Sequence, residues 1–117
     1  MSDWARPVVH WALEARDAEA MKTFYSALFN WKIGDGPIMT IEPGIGGPEP
    51  GPGGHIAQHT DRLGFSLYVQ VRDIKESLVR AVELGGEKVS DPFDVPGGPT
   101  IAFVKDPEGN ALTLVQQ

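Results

Sequence analysis

The sequence predicts an α+β fold of two βαβββ modules, placed at about 7–60 and 63–116 within one domain spanning residues 1–117. Three observations carry this. The chain repeats itself at an offset of 56 residues: Arg16-Asp17 falls on Arg72-Asp73, Leu13 on Val69, Leu28 on Leu84, Lys32 on Lys88 and Ile33 on Val89. Each copy runs from a β-rich stretch into a helical one, and then into short strands broken by turn residues. A chain of 117 residues has room for one domain, and one of this size buries roughly two-thirds of its unfolded surface.

The elements follow in order. Val8 to Ala15 is a strand rich in β-branched and aromatic residues. Asp17 is placed to cap a helix whose apolar residues Met21, Phe24, Tyr25 and Leu28 fall at i, i+3, i+4 and i+7. Trp31-Lys32-Ile33 and Ile38 to Ile41 are short strands on either side of the turn Gly34-Asp35-Gly36-Pro37. From Gly34 to Gly54 the chain holds eight glycines and five prolines, so the stretch at 43–54 is read as a loop, either a connector or a flap over a cavity.

The second copy opens with the strand Phe65 to Val71, followed by a helix carrying Ile74, Leu78, Ala81 and Val82 and ended by Gly85-Gly86. Glu87-Lys88-Val89, Thr100 to Val104 and Ala111 to Val115 are strands, the last two joined by the turn Asp106-Pro107-Glu108-Gly109-Asn110. Each helix can cover only one face of its sheet. Strand alternation sends Trp11 and Leu67 towards the helices and Ala12 and Tyr68 to the opposite faces, where paired curved sheets would enclose a cavity.

Composition narrows the function. The net charge is −6, from 16 acidic and 10 basic residues, and no basic cluster runs along the chain, which argues against nucleic acid as a partner. No cysteine is present, so a thiolate zinc site or a cysteine nucleophile is excluded. No apolar run approaches the roughly 20 residues of a membrane span, and Met1 to Pro7 lacks a signal-peptide layout, so a cytoplasmic location is expected. G-x-S-x-G, P-loop and strand-linked G-x-G-x-x-G motifs are missing from the sequence.

Four motifs in sequence order carry a resemblance. Phe24-Tyr25-Ser26-Ala27-Leu28-Phe29-Asn30-Trp31 is similar to an FY-x-x-LFGW signature, with Asn30 in place of the usual glycine. Val71-Arg72-Asp73-Ile74, Leu84-Gly85-Gly86 and Asp106-Pro107-Glu108-Gly109-Asn110 match further positions. Over about residues 7 to 116 the chain resembles the vicinal-oxygen-chelate superfamily of glyoxalases, extradiol dioxygenases and bleomycin-resistance proteins. That resemblance implies mixed sheets curled into a half-open barrel, a homodimer, and, in metal-dependent branches, ligands from the first and last strands of each module.

At those family positions this chain offers His10, approximately Ala57, Ser66 and Thr113, of which only His10 is a good ligand. A catalytic centre generally needs three protein ligands, so no metal cofactor is expected. A divalent ion (Zn, Ni, Fe or Mn) on a rearranged His10, His55 and Glu42 set is the alternative. Glu14 shares a strand face with His10 but stands roughly 13 Å away along it.

The expected ligand-binding residues are His10, Ala12, His55, Ala57, Ser66, Tyr68 and Thr113, with Phe103 and Met39 as further pocket lining. His10 is either a hydrogen-bonded structural histidine, a ligand contact, or a general base near neutral pKa. His59 is expected at the surface, and Phe24, Tyr25, Phe29 and Trp31 in the helix-to-sheet core. Two functions follow: a metal-free module that sequesters a small, partly apolar molecule, or a lyase or dioxygenase-like enzyme using His10 or a non-standard metal site.

Overall fold

The computed structural model describes residues 5–42 and 52–116, so the loop reading for 43–51 lies outside the described residues. The chain divides into two compact units. Residues 10–65 form the first; the segment up to Val9 together with Ser66 onward forms the second.

The first unit is built from β1 (Val8–Ala15), α1 (Ala18–Phe29), β2 (Ile38–Ile41) and β3 (Gly54–Gln58). Its strands lie in the order β2-β3-β1, with β1 and β3 parallel and β2 and β3 antiparallel. Asp17 caps α1 as its sequence position predicts, accepting the Ala20 N–H at 3.0 Å. Asn30 ends the helix with φ of 58°, the left-handed conformation for which glycine and asparagine are the favoured residues. Leu13, Ala15, Ala18, Met39, Ile41 and Ile56 form the core between helix and sheet, with Trp11, Met21, Tyr25 and Ile33 packed at its margin.

Three expectations for this unit are corrected. Trp31-Lys32-Ile33 is not a strand: Ile33 forms a single bridge to Ile41, and Gly34 N–H then bonds the Thr40 carbonyl as the chain turns. Phe24, Leu28 and Phe29 are 55%, 60% and 51% exposed and Trp31 37%, so they do not form the helix-to-sheet core. Met39 does not line a pocket; alternation along β2 turns it into the core beside Ile56.

The second unit holds β4 (Gly64–Gln70), α2 (Ile74–Glu83), β5 (Glu87–Lys88), β6 (Phe93–Asp94), β7 (Thr100–Lys105) and β8 (Ala111–Gln116). Its strands run β4-β8-β7-β5, with β6 also paired to β7. The core joins Val71, Ile74 and Leu78 to Ala102, Val104 and Leu114. Pro7 O accepts the Gln70 N–H at 3.0 Å, fastening the N-terminal segment to this unit.

Asp73 caps α2 through Glu76 N–H, and Gly85 leaves the helix at φ of 97°. Gly86 is required for a different reason: a Cβ there would stand 2.7 Å from the Lys105 carbonyl oxygen. β5 is shorter than predicted because Val89 and Ser90 both donate to Phe103 O, which breaks the ladder after Lys88. β6 was not foreseen, being only two residues long. Among the described residues, no helix is long and apolar enough to cross a membrane.

Candidate functional site

In each unit the helix covers one sheet face, and the residues of alternate parity occupy the other. On the first unit's face away from α1 stand His10, Ala12 and Glu14 of β1, His55 and Ala57 of β3, and Ile38 and Thr40 of β2, of which Ala12, Glu14, His55 and Ala57 are buried. Register sets Ala12 beside His55 and Thr40 on His55's other side, while Glu14 lies beside Ala57.

This register brings His10 and His55 into direct contact. His10 Nε2 is 2.8 Å from His55 Nδ1, and the rings stack with centroids 5.0 Å apart at 27°. Burial lowers the His10 pKa. Burial, and then the neighbouring His10 ring, push His55 down to about 4. Both imidazoles are therefore neutral at pH 7, so one ring donates the shared hydrogen and the other accepts it. Whichever tautomer is present, the outer nitrogens of the pair then carry one N–H and one lone pair between them. At the far end of the face, Glu14 pairs with Arg62 at 3.5 Å. His59 lies half-buried beside Asp61 at 3.0 Å.

The second unit's corresponding face carries Ser66 and Tyr68 of β4, Thr113 of β8 and Phe103 of β7. Tyr68 and Phe103 flank Thr113 in register, and Thr113 is only 1% exposed. Phe103 also meets Phe93, with ring centroids 5.5 Å apart.

The two units correspond through their hydrogen bonds as well as their order. Gln58 Oε1 accepts the N–H of Ala18, the first residue of α1, at 2.9 Å. Gln116 Oε1 accepts the N–H of Ile74, the first residue of α2, at 2.7 Å. Ala18 and Ile74 keep the 56-residue offset, whereas Gln58 and Gln116 are 58 apart. Register agrees, since Ala12 pairs with His55 as Tyr68 pairs with Thr113.

The first-unit equivalent of Thr113 is therefore His55, which corrects the placement of that position at Ala57. The signal lay in the sequence: Ile56-Ala57-Gln58 aligns with Leu114-Val115-Gln116 once two residues of slippage are allowed. The four equivalent positions are His10 and His55 in the first unit and Ser66 and Thr113 in the second.

Within the first unit two imidazoles, and within the second two hydroxyls, each fall short of the three protein ligands that a catalytic metal generally takes. Two Zn–N bonds of about 2.0–2.1 Å at a tetrahedral angle would hold the nitrogens about 3.3 Å apart; the observed 2.8 Å is a hydrogen-bond distance. Among the described residues no group of three or more His, Cys, Asp or Glu side chains is placed to hold an ion, so His10, His55 and Glu42 do not assemble into one.

The fold is that of the vicinal-oxygen-chelate superfamily. A member of the glyoxalase/bleomycin resistance protein/dioxygenase superfamily from Vibrio splendidus superposes with a TM-score of 0.66 at 15% identity, over 97% of this chain and 100% of that one. A hypothetical protein from Bacillus halodurans gives 0.68 at 15% identity, over 97% and 96%. Residues 10–115 match the model of the glyoxalase-like domain, and the chain belongs to that family. CFP32 of Mycobacterium tuberculosis, a candidate glyoxylase, is 28% identical over 130 aligned positions covering 98% of this chain. The chain spans about half of that relative's length, 48%.

Proposed function

We propose that this glyoxalase-like protein binds a small, partly apolar molecule at the His10–His55 pair of its first unit, without a metal ion. The hydrogen-bonded pair of His10 and His55 carries this reading. A neutral pair suits an uncharged ligand with a carbonyl or hydroxyl group, which can meet either an N–H or a lone pair. Ala12 and Ala57 are the short apolar neighbours of the pair, themselves buried at 0% and 8% exposure. Ser66 and Tyr68 offer further hydroxyls on the corresponding face of the other unit, beside the buried Thr113 and with Phe103 as an apolar neighbour. Sequestration of the bleomycin-resistance kind fits this arrangement.

A second reading rests on the lowered His10 pKa. An imidazole kept neutral at pH 7 is available as a general base, which supports a lyase or dioxygenase-like enzyme. We also place the protein in the cytoplasm as a homodimer that does not bind nucleic acid. The acidic charge and the lack of cysteine support the setting, and the exposed Phe24, Leu28 and Phe29 on α1 support a pairing surface.

A thermal-shift screen of small carbonyl and hydroxyl compounds tests the binding reading. Compounds that stabilise the native chain should lose that effect in both His10→Ala and His55→Ala. Stabilisation that survives both substitutions would refute it. Turnover of a bound compound that disappears in His10→Ala would replace it with the enzymatic reading.

A further inference from the structure

The arginines at 6, 72 and 80 are far from clustered in sequence, yet the second unit brings them around one cleft of about 650 Å³. This cleft lies outside the strand faces described above. Its walls come from the N-terminal segment, the turn after β4, and the side of α2 that presents Ser77, Arg80 and Leu84 at i, i+3 and i+7. The bond from Gln70 N–H to Pro7 O holds Arg6 in place, and the bond from Val71 N–H to Val115 O at 2.8 Å anchors the turn carrying Arg72.

We propose that this cleft is an anion site for a small molecule bearing a phosphate group. Three of the five arginines of a chain with net charge −6 line it, so the local charge runs against that of the whole protein. Two carboxylates also line it, Asp73 and Glu76, leaving one net positive charge. Asp73 is committed to the α2 cap through Glu76 N–H. Arg80 pairs with Glu83 only at 3.8 Å. A guanidinium that holds one carboxylate still has further N–H donors among its five, so ion pairing within the cleft does not exhaust its capacity for an oxyanion.

Ser77 adds a hydroxyl beside the arginines. Val71, Ala81 and Leu84 supply an apolar wall for the body of the ligand. Three forked donors suit the three terminal oxygens of a phosphate monoester, where each oxygen can accept charge-assisted bonds.

The test is a titration of the whole chain with inorganic phosphate and pyrophosphate at constant ionic strength, followed by backbone amide shifts. Saturable shifts are expected at Arg72, Ser77, Arg80 and Leu84, with affinity at least ten-fold lower in an Arg72→Gln/Arg80→Gln variant whose remaining spectrum is unchanged. Lys105→Gln, outside the cleft, should leave affinity within two-fold. Absence of saturation, shifts centred elsewhere, or equal weakening by Lys105→Gln would each overturn the proposal.

Discussion

Gln58 and Gln116 do the same work in the two units: each accepts the first helical N–H of its own module, Ala18 at 2.9 Å and Ile74 at 2.7 Å. Each therefore satisfies one of the donors that a helix leaves unpaired at its start. Gln58 also donates to the Arg16 carbonyl, tying β3 to the turn before α1. Gln58→Ala and Gln116→Ala should each cost about 1–2 kcal/mol, read from urea unfolding midpoints. A loss under about 0.3 kcal/mol in both would mean that these side chains do not stabilise the helix starts.

Gly54 is fixed by its neighbour in register, Trp11. A Cβ on Gly54 would lie 2.3 Å from the Trp11 ring, so Gly54→Ala should destabilise the first unit by about 1–3 kcal/mol. The penalty should shrink in a Trp11→Leu background, and the double-mutant cycle reads that coupling directly. Purely additive effects would mean that the ring does not enforce the glycine.

The hairpin turn between β7 and β8 is organised by one carboxylate. Asp106 accepts from the Glu108 N–H, the Asn110 N–H and the Asn110 side-chain amide. These bonds, led by the one from the Asn110 side chain, hold its pKa below the usual carboxylate value. Its contribution is thus complete above the ordinary aspartate pKa and is lost as pH falls below that value through the lower pKa of the folded state. Asp106→Ala should lower the denaturant unfolding midpoint at pH 7, and by less as the pH is lowered into the acid range, measured at both pH values.

For the histidine pair the window differs. His55 titrates at about 4 in the folded protein, against 6.5 for an unperturbed histidine. Between those values the unfolded chain binds more protons than the folded one, so stability rises with pH through this window. Above 6.5 the contribution is complete; on acidification it is lost progressively down to about 4. Unfolding free energies from pH 7 to 4 should show this slope, and His55→Gln should flatten it. An unchanged slope in that variant would place the titrating group elsewhere.

The features legible in the sequence were the local ones. Asp17 and Asp73 announced the helix caps, the Asp106–Asn110 turn announced a hairpin, and strand alternation put Trp11 and Tyr68 on the correct faces. Register between strands distant in sequence was not legible. Only pairing of β1 with β3 places His55 against His10, and the two-residue slip between modules hides its equivalence with Thr113. The extent of helix coverage was also hidden: Phe24 and Leu28 have core periodicity, yet both stand more than half exposed. The arginines at 6, 72 and 80 meet only because the N-terminal segment is bonded to β4.

The proposed function requires His10 and His55 to share a proton rather than a metal ion. Metal content per chain, measured on tag-free protein purified without chelator, tests it most directly. Well under about 0.1 equivalents of Zn, Ni, Fe or Mn are expected, unchanged in His10→Ala. One equivalent per chain, lost in both His10→Ala and His55→Ala, would contradict it and make the pair a metal-binding half-site.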